Sequence, residues 1–114
     1  MDKIKRPKQT VSTTHLIETG CGHFYITIGR DNGNIIEVFA TLGKAGGCAH
    51  AQAEALTRAI SLGLKYKVPV EEYAEELEGI KCPNQTWDDK TQIMSCADAI
   101  SKVLRSAKTS ENSR

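Results

Sequence analysis

Aromatic residues are scarce in this chain of 114 residues, at 5%. Whatever core it builds must therefore be aliphatic and alanine-rich. Long apolar runs are missing as well. Nothing approaches the ~20 consecutive apolar residues that cross a bilayer, and no signal-peptide pattern follows Met1. A membrane role is excluded on that ground, and a cytoplasmic address is the expectation. Net charge is only +1, without the global basic field of a dedicated nucleic-acid binder, so nucleic acid is not the expected partner. Four cysteines are present, but no two share a Cys-x-x-Cys spacing, so no local metal knuckle exists.

The length fits one domain with a modest core. Residues 1–9 carry Lys3, Lys5, Arg6 and Lys8 without apolar periodicity, which predicts a flexible basic tail. Residues 10–107 hold the domain, and residues 108–114 read as a polar tail. The fold class is α+β: an antiparallel hairpin, with a possible third strand, packed on one long and two shorter helices. Thr10–Thr19 is rich in β-branched residues and supplies the third strand. Phe24, Ile26 and Ile28 alternate with His23, Tyr25 and Thr27, and Ile36, Val38, Ala40 and Leu42 with Ile35, Glu37, Phe39 and Thr41, which leaves a half-polar opposite face holding Tyr25, Thr27, Glu37 and Thr41. Asn32-Gly33 between them supplies the positive φ of a tight hairpin turn.

Ala49, Ala53, Leu56, Ile60 and Leu64 then recur at helical spacing, forming the apolar stripe of the main helix. Pro69, Glu71 and Glu72 open a second helix, with Val70, Tyr73, Ala74 and Leu77 as its buried side. Gly79 stops that helix, and Ile80 is placed to fold back on its last turn. Asn84–Gln92 reads as a polar loop around the lone Trp87. Ser95 and Asp98 have the spacing of a capping box for a third helix, whose apolar side is Ala97, Ile100, Val103 and Leu104. The acids Glu71, Glu72, Glu75 and Glu76 read as a solvated face, and no nucleophile–base–acid set is present.

Cys21, Cys48, Cys82 and Cys96 each lie at a glycine, a proline or a helix start. In a reducing compartment such thiols are metal ligands, redox groups or small buried hydrophobes. Zinc is the metal that four thiolates select, and the fold would have to gather them. Cys48 and Cys96 stand near helix N-termini, where the dipole favours the thiolate. His23 and His50, each two residues after a cysteine, are secondary candidates. Gly43-Lys44-Ala45-Gly46-Gly47 lacks the Walker spacing, yet a glycine turn feeding a helix N-terminus suits a phosphate. A nucleotide ligand at Lys44, Gly46, Gly47 and Cys48 is the alternative to a metal.

Several motifs then carry a resemblance. They are Thr19-Gly20-Cys21-Gly22, Phe24-Tyr25-Ile26-Thr27-Ile28, Glu37-Val38-Phe39, Leu42-Gly43-Lys44-Ala45-Gly46-Gly47-Cys48, Ala59-Ile60-Ser61-Leu62, Leu77-Glu78-Gly79-Ile80-Lys81-Cys82-Pro83 and Ser95-Cys96-Ala97-Asp98-Ala99-Ile100. In that order, over roughly Arg6 to Leu104, they resemble the TSCPD domain. That family occurs as a C-terminal module of vitamin B12-dependent ribonucleotide reductases and as short free-standing proteins. The resemblance implies a compact α+β module linked to deoxyribonucleotide synthesis, with all four cysteines at the family's cysteine positions.

Here the naming motif reads Met94-Ser95-Cys96-Ala97-Asp98, with methionine for threonine and alanine for proline. Lys67 stands where the family usually has glycine, and His23 where it tends to have lysine. The expectation is a non-catalytic accessory domain holding zinc through Cys21, Cys48, Cys82 and Cys96, with a ribonucleotide reductase as partner. A small nucleotide-sensing or nucleotide-sequestering protein is the second reading. Cys82 and Cys96 as a redox pair relaying electrons to a reductase is the third. A half-polar sheet face makes self-association a further expectation.

Overall fold

The computed structural model describes residues 2–43 and 47–112, with side chains from Asp2 to Gly43 and from Cys48 to Lys108. Three strands, β1 (Val11–Thr19), β2 (Gly22–Asp31) and β3 (Asn34–Leu42), form an antiparallel sheet in that order. The β-branched stretch is therefore a full strand. Its register sets Ile17 beside Phe24 and His15 beside Ile26. Phe24, Ile26, Ile28, Val38, Ala40 and Leu42 are buried on one sheet face, as their alternation requires. Asn32 and Gly33 both have positive φ, at 53° and 84°, which is the hairpin geometry their types predict.

The register shifts at Gly29/Arg30: Arg30 pairs with Ile35 but Gly29 with Glu37, leaving Ile36 as the extra residue of a β-bulge. Ile35 therefore joins Val38, Ala40 and Leu42 in the core cluster, and Ile36 is buried outside it. Simple alternation had put Ile36 on that face. The bulge also leaves Glu37, expected on a half-polar face, only 2% exposed. Arg6 meets it through two parallel hydrogen bonds, Nε to Oε1 at 2.8 Å and Nη2 to Oε2 at 3.0 Å. A Cβ on Gly29 would lie 2.7 Å from Glu37 Cγ, so glycine is what lets the carboxylate lie flat across β2. The Ile4 N–H donates to Lys65 O at 2.8 Å. Residues expected to stand off as a flexible tail thus run against the body of the domain.

Helix α1 (Gly47–Lys65) buries Ala53, Ile60 and Leu64, with Ala49 and Leu56 partly buried against the same cluster. It also closes the open edge of β3. Ser61 Oγ accepts the Val38 N–H and donates to the Val38 carbonyl, both at 2.9 Å, satisfying backbone groups that no strand reaches. The helix ends in a Schellman arrangement: Val68 N–H to Gly63 O and Lys67 N–H to Leu64 O, each 3.0 Å. Lys67 occupies the left-handed position at φ 68°. The sharp stop survives without glycine, at a cost in backbone strain. Lys67→Gly is accordingly expected to raise unfolding free energy by about 1 kcal/mol, read from urea midpoints at unchanged m-value.

Helix α2 (Val70–Leu77) stops at Gly79, whose φ is 78°, while Ile80 is exposed instead of packing back. The stretch expected as a polar loop contains a small hairpin, β4 (Thr86–Asp88) and β5 (Thr91–Ile93). Strands of three residues are too short to show periodicity, yet Ile93 enters the core. Helix α3 (Cys96–Asn112) runs on through most of the expected C-terminal tail. Its buried side is Ala99, Ile100, Val103, Leu104 and Ala107, with Ala97 only half-buried. Ser101 Oγ donates to Ala74 O at 2.6 Å and locks α3 to α2.

Candidate thiol site

The β1–β2 turn is Gly20-Cys21, closed by the Thr19–Gly22 pair. Buried Thr19 organises it: its hydroxyl donates to Gly22 O at 2.8 Å and accepts the Cys21 N–H at 3.2 Å. Cys21 is left exposed at the tip. Gly20 packs directly on the Asn84 carbonyl, where a Cβ would collide with backbone atoms. Asn84 lies two residues beyond Cys82, so the close approach carries the turn to the Cys82 segment.

Cys82 is brought to Cys96 by the start of α3. Ser95 Oγ accepts the Asp98 N–H at 3.0 Å and donates to Ile80 O at 2.6 Å. Fully buried Asp98 accepts the Gly79 N–H at 2.8 Å through Oδ1. Its Oδ2 accepts the Met94 N–H at 3.0 Å and Lys102 Nζ at 2.7 Å. The Cys82 N–H completes the clamp on Met94 O at 3.0 Å. The predicted capping box is therefore present in extended form. Its acid reaches across to the residue that ends α2, as well as back along its own helix.

These contacts bring three cysteine-bearing segments to one corner. Cys96 Sγ lies 4.0 Å from Thr19 Oγ1. Burial pushes the Cys96 thiol up; the Thr19 hydroxyl works against that, and neighbouring Cys21 and Cys82 add to the rise. Cys21 and Cys96 share the Thr19 hydroxyl, which accepts the Cys21 N–H at 3.2 Å and lies 4.0 Å from Cys96 Sγ. The turn, the segment after α2 and the first residue of α3 each contribute one sulfur.

Cys48, the fourth predicted ligand, is exposed on the second residue of α1. The chain order sets it at the same end of the sheet, because the Gly43 N–H donates to His23 O at 2.7 Å beside the turn. Among the described residues, no group of three or more His, Cys, Asp or Glu side chains is arranged to hold a metal ion. The arrangement is a three-thiol corner with a separate fourth cysteine, and it falls short of a closed tetrahedral cage.

His23 pairs with Glu18 on the exposed sheet face. The Nδ1 of His50 is buried without a hydrogen-bond partner among the described residues. The nucleotide alternative rested on Lys44 and Gly46, which lie outside the described residues; Gly47 is the first residue of α1 and Cys48 the second. The acids of α2 form a solvated face, where Glu71 meets Lys108 at 3.6 Å.

Thr19 was not singled out as a site residue from sequence, and Asp98 was recognised only as a cap. The signal for Asp98 was its spacing from Ser95; a buried hydroxyl before a glycine turn has no such signal. No helix is long and apolar enough to cross a membrane, among the described residues. Chemically, the corner offers soft sulfur donors, with the Cys21 amide and the Cys96 thiol on one hydroxyl.

Neither the curated proteins nor the solved structures gave a match to the chain. The TSCPD domain model matches residues 2–108, from the docked N-terminal segment through the buried face of α3, and the chain belongs to the TSCPD domain family.

Proposed function

We propose that this TSCPD chain is a non-catalytic accessory module that holds one zinc ion through Cys21, Cys82 and Cys96, with Cys48 as fourth donor. The observation that carries the reading is the convergence of three cysteine-bearing segments: Thr19 Oγ1 holds the Cys21 N–H at 3.2 Å and lies 4.0 Å from Cys96 Sγ, and the Cys82 N–H is bound to Met94 O, two residues before Cys96. Thiolate sulfur is the donor type zinc selects in structural sites. The backbones of Cys21 and Cys82 are held by hydrogen bonds to Thr19 and Met94, independent of any ion. Cys21 and Cys48 are exposed, so their side chains turn without disturbing the core. A bound ion would cross-link turn, loop and helix, and its binding energy would count as folding energy.

The metal reading is tested by elemental analysis of protein purified without added zinc. About one equivalent per chain is expected, with thermal stability falling after chelation. Less than half an equivalent, with four thiols titrating freely in native protein, would end it.

The proposed partner is a ribonucleotide reductase, supported by resemblance to modules found in B12-dependent reductases. Comigration with such an enzyme in size-exclusion chromatography is the expected result. Independent elution would remove the partner and leave the metal reading standing.

A further inference from the structure

The thiol corner contains one pair that differs from its third member. Cys21 sits on the exposed tip of a two-residue turn, open to a reagent from solvent. Cys96, partly buried at the start of α3, lies against the threonine that holds this turn. A single hydroxyl anchors both: Thr19 Oγ1 accepts the Cys21 N–H at 3.2 Å and lies 4.0 Å from Cys96 Sγ. Cys82 belongs to another segment, fixed by its N–H to Met94 O. The shared Thr19 hydroxyl thus ties Cys96 to the Cys21 turn, where the sequence had pointed to Cys82 as its redox partner.

We propose that Cys21 and Cys96 form a dithiol that exchanges with disulfides, Cys21 attacking and Cys96 resolving. The substrate class is a small or exposed disulfide, of which oxidised glutathione is the simplest. The Cys21 thiolate attacks one glutathione sulfur, forming a mixed disulfide and releasing one glutathione thiolate. Cys96, losing its proton to solvent, then attacks the Cys21 sulfur and releases the second glutathione. Two thiols are oxidised to one Cys21–Cys96 bond, and one glutathione disulfide is reduced to two thiols. The exposed partner enters the exchange, and the buried one closes it beneath the turn. Cys82 and Cys48 remain thiols.

This inference rests on the same thiol corner as the proposed function but not on an ion. The test uses the full chain as purified, with and without chelator, its metal content measured first and its fold followed by circular dichroism. After exposure to oxidised glutathione, free thiols are alkylated and peptides mapped. The chelated protein is expected to show a Cys21–Cys96 link, with Cys48 and Cys82 alkylated. Cys96→Ser is expected to stop at one glutathione on Cys21. A link through Cys82, a persistent glutathione adduct on Cys21 in the unsubstituted chain, or no reaction at all overturns the proposal. The link forming in protein that never held zinc upholds the exchange pair while ending the metal reading. Zinc present without the link after chelation does the reverse.

Discussion

Asp98→Ala is expected to lower the unfolding free energy by about 3 kcal/mol. The carboxylate is fully buried and accepts three hydrogen bonds, from the Gly79 and Met94 amides and from Lys102. Truncation leaves two backbone donors orphaned and an ammonium without its partner. A lost helix cap alone would cost about 1 kcal/mol, so a value near that would mean the bond to Gly79 contributes nothing.

The same residue sets an acid limb. Burial acts to raise its pKa, but the Lys102 hydrogen bond, the two amides and the Lys102 charge together outweigh it and hold the carboxyl below its usual value. A depressed folded pKa gives stability that is complete above the unfolded value of ~3.9 and disappears as pH falls through the folded one. Urea midpoints should therefore drop below about pH 4. Asp98→Asn keeps the shape, loses about 2 kcal/mol near neutrality and flattens that limb. Parallel acid limbs in the two proteins would refute the assignment.

Gly20→Ala is expected to cost about 2 kcal/mol net and to open the thiol corner. Its Cβ would collide with the Asn84 carbonyl, and backbone cannot rotate aside as a side-chain tip can. Alanine also restricts the unfolded chain, which returns about 0.4–1 kcal/mol. The clash is the larger effect, so the loss prevails. Because the turn carries Cys21 over Cys96, the second readout is thiol chemistry. Alkylation of Cys96 should accelerate while that of exposed Cys48 stays unchanged. Unaltered Cys96 reactivity, even in a destabilised protein, would mean the turn does not shield it.

Elements with strong local periodicity were legible in the chain itself. The 24–28 and 36–42 alternations, the Asn32-Gly33 turn and the α1 stripe each encode their structure within a few residues. Pattern reading failed where a distant residue overrides the local signal. Glu37 looks solvent-facing until Arg6, 31 residues away, crosses the sheet to meet it. The β4–β5 hairpin is too short for a period, and its identity depends on Ile93 finding the core.

Four cysteines at turns and helix starts are visible in sequence, as is the capping box around Cys96. Family membership follows from the order of those motifs. Which sulfurs meet is a matter of tertiary structure, because it depends on contacts between residues far apart in the chain. The Gly20 approach to Asn84 and the Asp98 bond to Gly79 bring the Cys21 and Cys82 segments to the start of α3, and among the described residues no comparable contact is seen for Cys48. Local propensity acts over a few residues, whereas a shared corner needs separate segments to pack, and only the folded chain sets that geometry.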